Sequence, residues 1–316
     1  MKRIGTLLIA VALAWTAYGQ QETQYTMFMF NKLVINPGYT GSAGRPCITA
    51  FGRGQWIGVD GAPQTQLLSF HMPLANDRIG IGASVQRNAI GPQSDYTGEL
   101  YYAYRIPLGT GYLGLGLQGS VRHMRVDFSK TEATQPNGQD GSIPLGVQTR
   151  LVPNFGAGLY YQTDRFYAGF SVPRLLESNI ELSDNEGALS REVRHYYFLV
   201  GANFPLGESV MMEPQAFLRY VRGAPFDADF NVNFWFIDKI MGGLSYRLGG
   251  TKGQGAGESI AILAGAEIGA HVFFGLSYDI GLSDIRDQHS GSVEGVLRFC
   301  IGKKTEGEEV SNPRFF

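Results

Sequence analysis

The sequence predicts an all-β protein, a transmembrane antiparallel β-barrel of about 14 strands with short periplasmic turns and longer extracellular loops. Three observations carry that expectation. From Cys47 onward the chain divides into segments of about ten residues with alternating apolar and polar side chains, the length a tilted strand needs to cross a bilayer. The connections between them alternate between tight and long. No stretch of helical period is long enough to cover the sheet, which must fold into a sandwich or close on itself. Unequal ends favour closure, because a sandwich gives no reason for them. Aromatic content of 12%, 43 glycines and only 17% charged residues suit a sheet whose one face carries little charge. A formal net charge of −2 gives no grip on nucleic acid.

The elements follow in order. Residues 1–19 read as a signal peptide: Lys2 and Arg3, an apolar run from Ile4 to Trp15, then Ala17 and Gly19 before Gln20. Residues 20–45 form an N-terminal segment rich in Tyr25, Met27, Phe28, Met29 and Phe30, bent at Pro37 and Gly38. Exposed, it would be a sticky patch, so it either plugs the barrel or docks a periplasmic partner. The barrel spans 46–302. Its strands are expected at 46–56, 64–73, 78–88, 95–107, 111–124, 151–162 and 164–173. They continue at 193–205, 208–222, 225–236, 238–248, 257–268, 270–281 and 290–301. Tight links such as "LAND" (74–77), "LGT" (108–110) and "TD" (163–164) alternate with long polar ones at 125–150 and 174–192. Residues 303–316 form a charged C-terminal periplasmic tail.

Alternation assigns faces. Phe226, Phe230, Val232, Phe234 and Phe236 oppose Asp227, Asp229, Asn231 and Asn233, so the first set meets lipid and the second the lumen. Arg53, Gln55, Gln64 and Gln66 are expected to face a polar lumen. Trp56, Tyr101, Tyr102, Tyr104, Tyr160, Tyr161, Tyr196 and Tyr197 read as interfacial girdles. Arg53, Arg87, Glu99, Arg122, Glu213, Arg219, Glu267 and Glu294 fall on polar parities. Mixed signs in a narrow interior pair and close it, since unpaired buried charge is costly.

Cys47 opens the first strand and Cys300 closes the last, far from the clustered spacing of a zinc site. In an even-stranded barrel those ends meet on the periplasmic side. The expectation is a disulfide or close apposition across the seam, against two unpaired small lumen residues. The histidines His71, His123, His195, His271 and His289 are scattered, and no Gly-x-Ser-x-Gly elbow brackets a nucleophile. Asp279, Asp284 and Asp287 lack the spacing of a calcium loop. No catalytic residue, metal site or cofactor is assigned.

The stretch "YTMFMFNKLVINPGYTGS" (25–42) resembles the N-terminal segment of the PorP/SprF family. The likeness continues through "GRGQWIGVDGAPQTQLLSFHMPL" from Gly52, "AYRIPL" (103–108) and "DRFYAGFSVPRLL" (164–176). The ordered set Asn36-Pro37, Gln55-Trp56 and Gly61-Ala62-Pro63 is its specific part. Lys32 and Gly38 depart from the proline and alanine common there. The resemblance implies an outer-membrane component of type IX secretion and gliding in a Gram-negative, Bacteroidetes-like bacterium. It implies a non-enzymatic role, anchoring or helping export a secreted surface protein. Partners would be a secreted protein with a C-terminal sorting domain, such as an adhesin, together with periplasmic ring and lipoprotein components and outer-membrane lipid. Asn36, Pro37, Tyr39, Arg53, Gln55, Trp56, Gly61, Ala62 and Pro63 are then the family-motif and partner-contact residues. The alternative is a passive porin or small-molecule transporter.

Overall fold

A computed structural model describes residues 22–130, 146–180, 191–249 and 257–302. The expected signal peptide, the C-terminal tail and the middle of three long connections lie outside the described residues. Fifteen strand segments form one antiparallel sheet. They are β1 (Cys47–Gly54), β2 (Gln64–Leu74), β3 (Ile79–Ile90), β4 (Gln93–Leu108) and β5 (Gly111–Asp127). Next come β6 (Val147–Gln162), β7 (Phe166–Val172), β8 (His195–Ala202), β9 (Phe204–Pro205) and β10 (Val210–Val221). The rest are β11 (Asp227–Phe236), β12 (Ile240–Leu248), β13 (Ser259–Ile268), β14 (Val272–Gly281) and β15 (Ser292–Cys300). Both β8 and β9 pair with β10, so β9 continues β8 and the wall has fourteen staves. The interruption falls beside Pro214 and Pro205, which have no N–H to give the ladder.

Every stave pairs with its sequence neighbours, and β1 pairs with β15 from Cys47 opposite Cys300 to Gly54 opposite Val293. The sheet therefore closes into a barrel with no free edge. One end carries the tight connections 75–78, 109–110, 163–165, 206–209, 237–239 and 269–271. The other carries 55–63, 128–146, 173–194, 249–258 and 282–291, along with the shorter 91–92 and 222–226. In outer-membrane barrels the tight-turn end faces the periplasm. We call it the inner end. Its turns depend on left-handed backbone: Ile237 and Asp238 have φ of 48° and 53°, the mirror-image turn that matches strand twist.

The outer surface is apolar. Val85, Leu100, Leu117, Leu151, Phe155 and Leu244 are each at least 60% exposed, large apolar side chains of the kind that lipid covers. On β11 the alternation falls as expected: Phe230 is 47% exposed and Asn231 is 2% exposed. Among the described residues no helix is long and apolar enough to cross a membrane.

The interior departs from the polar lumen expected. It holds the largest apolar cluster, including Phe51, Leu67, Leu199, Phe217, Trp235 and Phe273. Tyr101, Tyr160 and Tyr197 belong to that cluster rather than to an interfacial girdle, whereas Tyr102 and Tyr104 do point outward. Gln64 and Gln66 share the exposed parity of β2, and Leu67 takes the inward place. Arg87 lies on the outward parity of Ile81 and Val85. These reversals have one cause: a filled interior needs apolar side chains, so polarity alone does not mark the inward face.

Candidate functional site

The filling is the chain's own N-terminal segment. From Tyr25 to Thr40 every residue except Val34 is buried. It contains a 3-10 turn at Phe28–Phe30, one helical turn at Lys32–Ile35 and a second 3-10 turn at Pro37–Tyr39. Turns this short are not stable alone, so packing against the wall holds them. Phe30 stacks on Phe273 at 4.3 Å, Phe28 meets Phe217 at 5.4 Å and Tyr25 meets Phe51 edge-on at 5.5 Å. The Lys32 ammonium sits 3.8 Å from the centre of the Tyr167 ring, a cation–π contact.

The Asn36-Pro37 pair is the sharpest local feature. Pro37 favours extended backbone at Asn36 and opens the following turn. Asn36 Oδ1 accepts from Gly38 N at 2.8 Å, and Thr40 Oγ1 donates to Pro37 O at 2.6 Å. The Asn36 Nδ2 donates to Leu159 O at 2.8 Å on β6 and to Phe170 O at 3.3 Å on β7. Such closeness needs a wall without side chains. A Cβ on Gly116 would overlap Pro37 and Gly38, one on Gly158 would overlap Asn36, and one on Gly80 would overlap Thr40.

Ion pairs fasten the segment nearer the outer end. Arg53 donates to Asp279 at 2.7 Å and to Glu294 at 2.9 Å. Glu294 also accepts the backbone N–H of Thr26 at 3.0 Å and of Met27 at 2.6 Å. The Thr26 hydroxyl donates to Asp279 at 2.7 Å. Farther out, Glu22 pairs with Arg174 at 2.6 Å and Arg122 at 2.8 Å. Burial raises the Glu22 carboxyl, but Arg174 and Arg122 outweigh it and leave it below the usual carboxylate range. Gln24 donates to Asp227, which belongs to a second network of Arg219, Asp229 and Arg247. Paired in this way, charges are tolerated in a closed interior.

The motif residues divide into two groups. Asn36, Pro37, Tyr39 and Arg53 lie in the lumen. Gln55, Trp56, Gly61, Ala62 and Pro63 form the outer connection between β1 and β2. There Gln55 N donates to Pro63 O at 2.9 Å, Gly91 N donates to Gly61 O at 2.8 Å, and Ile57 N donates to Gly291 O at 2.9 Å. The two groups build no single pocket. Cys47 and Cys300 are joined by a disulfide at the inner end of the seam, against Ala43. The histidines hold separate structural bonds: His71 accepts from Gly41 N, and His289 accepts from Gly291 N. Asp279 faces the lumen while Asp287 is exposed. Among the described residues no cluster of His, Cys, Asp or Glu could hold a metal ion.

The sequence places Arg53 and Glu294 on polar parities and groups Asp279 with Asp284 and Asp287, but it carries no signal for Thr26. The gathering of Arg53, Asp279 and Glu294 is set by the closure of β1 on β15. The available signal was one charge near the outer end of each strand on an inward parity.

A family model described as "Type IX secretion system membrane protein PorP/SprF" matches residues 17–299. No curated protein matches the sequence. Among solved structures, a mutant of the monoaromatic hydrocarbon channel TodX superposes with a TM-score of 0.51 at 9% identity, over 85% of this chain and 94% of that one. The toluene transporter TbuX of Ralstonia pickettii gives 0.47 at 10% identity, over 85% and 92%. The outer membrane protein Omp33 of Acinetobacter baumannii gives 0.45 at 9% identity, over 81% and 98%. At these identities the likeness concerns the fold alone.

Proposed function

Because the chain belongs to the PorP/SprF family of type IX secretion system membrane proteins, we propose that it acts as a non-enzymatic outer-membrane scaffold. In this reading it anchors or helps export a secreted surface protein that carries a C-terminal sorting domain, and it contacts periplasmic ring and lipoprotein components. The host is a Bacteroidetes-like bacterium. One observation carries the reading: the lumen is occupied by the chain's own residues, welded to the wall through Asn36 and clamped by Arg53, Asp279 and Glu294. A passive porin needs a water-filled path, and releasing this filling would break the Glu22 pairs with Arg174 and Arg122 and the hydrogen bonds that Glu294, Asp279 and the wall carbonyls make to it, leaving buried polar groups without partners. A scaffold needs only a rigid wall and exposed rims.

Cross-linking in native outer membranes, followed by affinity capture and mass spectrometry, tests the proposal. Recovery of a secreted protein with a C-terminal sorting domain together with periplasmic components is the expected result. Capture of neither, with stable high conductance of the purified protein in a planar bilayer, would replace the scaffold with the porin.

A further inference from the structure

The lumen segment has a direction. At its inner end Ala43 packs on Cys47 and Cys300, beside the tight-turn rim. Before that, Gly41 N donates to His71, and Thr40 and Gly41 press on Gly80 and Pro73, the residues flanking the inner turn 75–78. Moving back along the chain, Pro37 and Gly38 touch Gly114 and Gly116 nearer the middle of β5. Thr26 and Met27 are held by Arg53, Asp279 and Glu294, each within two residues of the outer end of its strand. Gln24 reaches Asp227, the first residue of β11 on the outer side. Glu22 reaches Arg174, in the outer connection after β7. Contacts thus climb the wall step by step as residue number falls.

We infer that the segment threads the barrel from its outer mouth to its inner mouth, so that Glu22 stands at the cell-surface side. A segment that merely folded up from the periplasm would show its lowest-numbered residues at the tight-turn rim. Here they stand at the other. The disulfide between Cys47 and Cys300 sits where the segment leaves the lumen and joins β1.

The inference rests on the reading of the tight-turn end as periplasmic, and the test separates the two. Cysteines are introduced one at a time by Glu22→Cys, Asp60→Cys in the outer connection and Asn76→Cys in an inner turn. Intact cells are treated with a membrane-impermeant maleimide, with the unsubstituted protein as blank. Labelling of Glu22→Cys in the same cells state as Asp60→Cys is expected. Labelling only after permeabilisation, together with Asn76→Cys, or no labelling in either state, would overturn the threading. If Asp60→Cys and Asn76→Cys exchange behaviour, the orientation is wrong, while the grouping of Glu22→Cys still decides the threading. Should Glu22→Cys fail to assemble, Thr23→Cys with Gln86→Cys supplies a second readout. Thr23 Oγ1 and Gln86 Nε2 are 3.3 Å apart, so a disulfide-linked peptide pair is expected in unreduced digests. Its absence would also overturn the proposal.

Discussion

Arg53 balances two buried carboxylates, of which Glu294 accepts from the Thr26 and Met27 amides and Asp279 from the Thr26 hydroxyl. Arg53→Met would leave Asp279 and Glu294 facing each other without a cation in a site closed to water. Breaking a buried pair in this way costs about 3–5 kcal/mol. The expected result is a matching loss in urea unfolding of the detergent-solubilised barrel. Adding Glu294→Gln should recover part of it, because the second change removes one stranded charge. Strictly additive losses would contradict the pairing. At Asn36 the argument is about hydrogen bonds rather than charge. Asn36→Ala removes partners from Gly38 N, Leu159 O and Phe170 O, and leaving buried groups unsatisfied costs about 1–3 kcal/mol. The same unfolding measurement checks it, and a change within error would mean the weld is dispensable.

A single strand tests the assignment of faces. Phe230 of β11 points outward and Asn231 inward, so Phe230→Arg puts a cation against lipid at a cost of about 2–4 kcal/mol near the midplane. Asn231 has one side-chain bond, to Leu244 O at 3.3 Å, so Asn231→Ala should cost about 1 kcal/mol or less. Heat-modifiable gel mobility should show impaired assembly for Phe230→Arg and near-normal assembly for Asn231→Ala. Equal defects would reverse the faces. An inward arginine at 231 is no mild control, since the lumen is packed. This is also where the sequence stopped being readable. The expected strands overlie the observed staves in order, because period-2 patterning and Gly, Asn and Asp turns are local signals. Which parity faces inward is not local when both faces carry apolar residues. Leu67 and Leu68 are neighbours on β2, one inside and one outside, and nothing in their chemistry separates them. Tyr101, Tyr160 and Tyr197 face inward beside outward neighbours for the same reason. The Asn-Pro motif was visible, but its wall contacts depend on glycines more than forty residues away.

The ring as a whole is closed by pairing β1 to β15 and by the bond between Cys47 and Cys300, 253 residues apart in sequence. In the chain-entropy account, linking points so distant removes unfolded-state freedom worth about 5 kcal/mol at most. The eight-residue pairing of the seam acts in parallel, so a reduced barrel need not open. What the bond adds is retention: the exit of the lumen segment at Ala43, Cys47 and Cys300 is held in one place. Cys47→Ala with Cys300→Ala should therefore assemble in the membrane yet unfold at lower urea, with the deficit abolished when both proteins are compared under reductant. Alkylation of unreduced, denatured protein provides the direct check, and the expected outcome is that neither cysteine takes the reagent. Free labelling of both would remove the covalent seam and leave the ladder between β1 and β15 as the sole closure of the barrel.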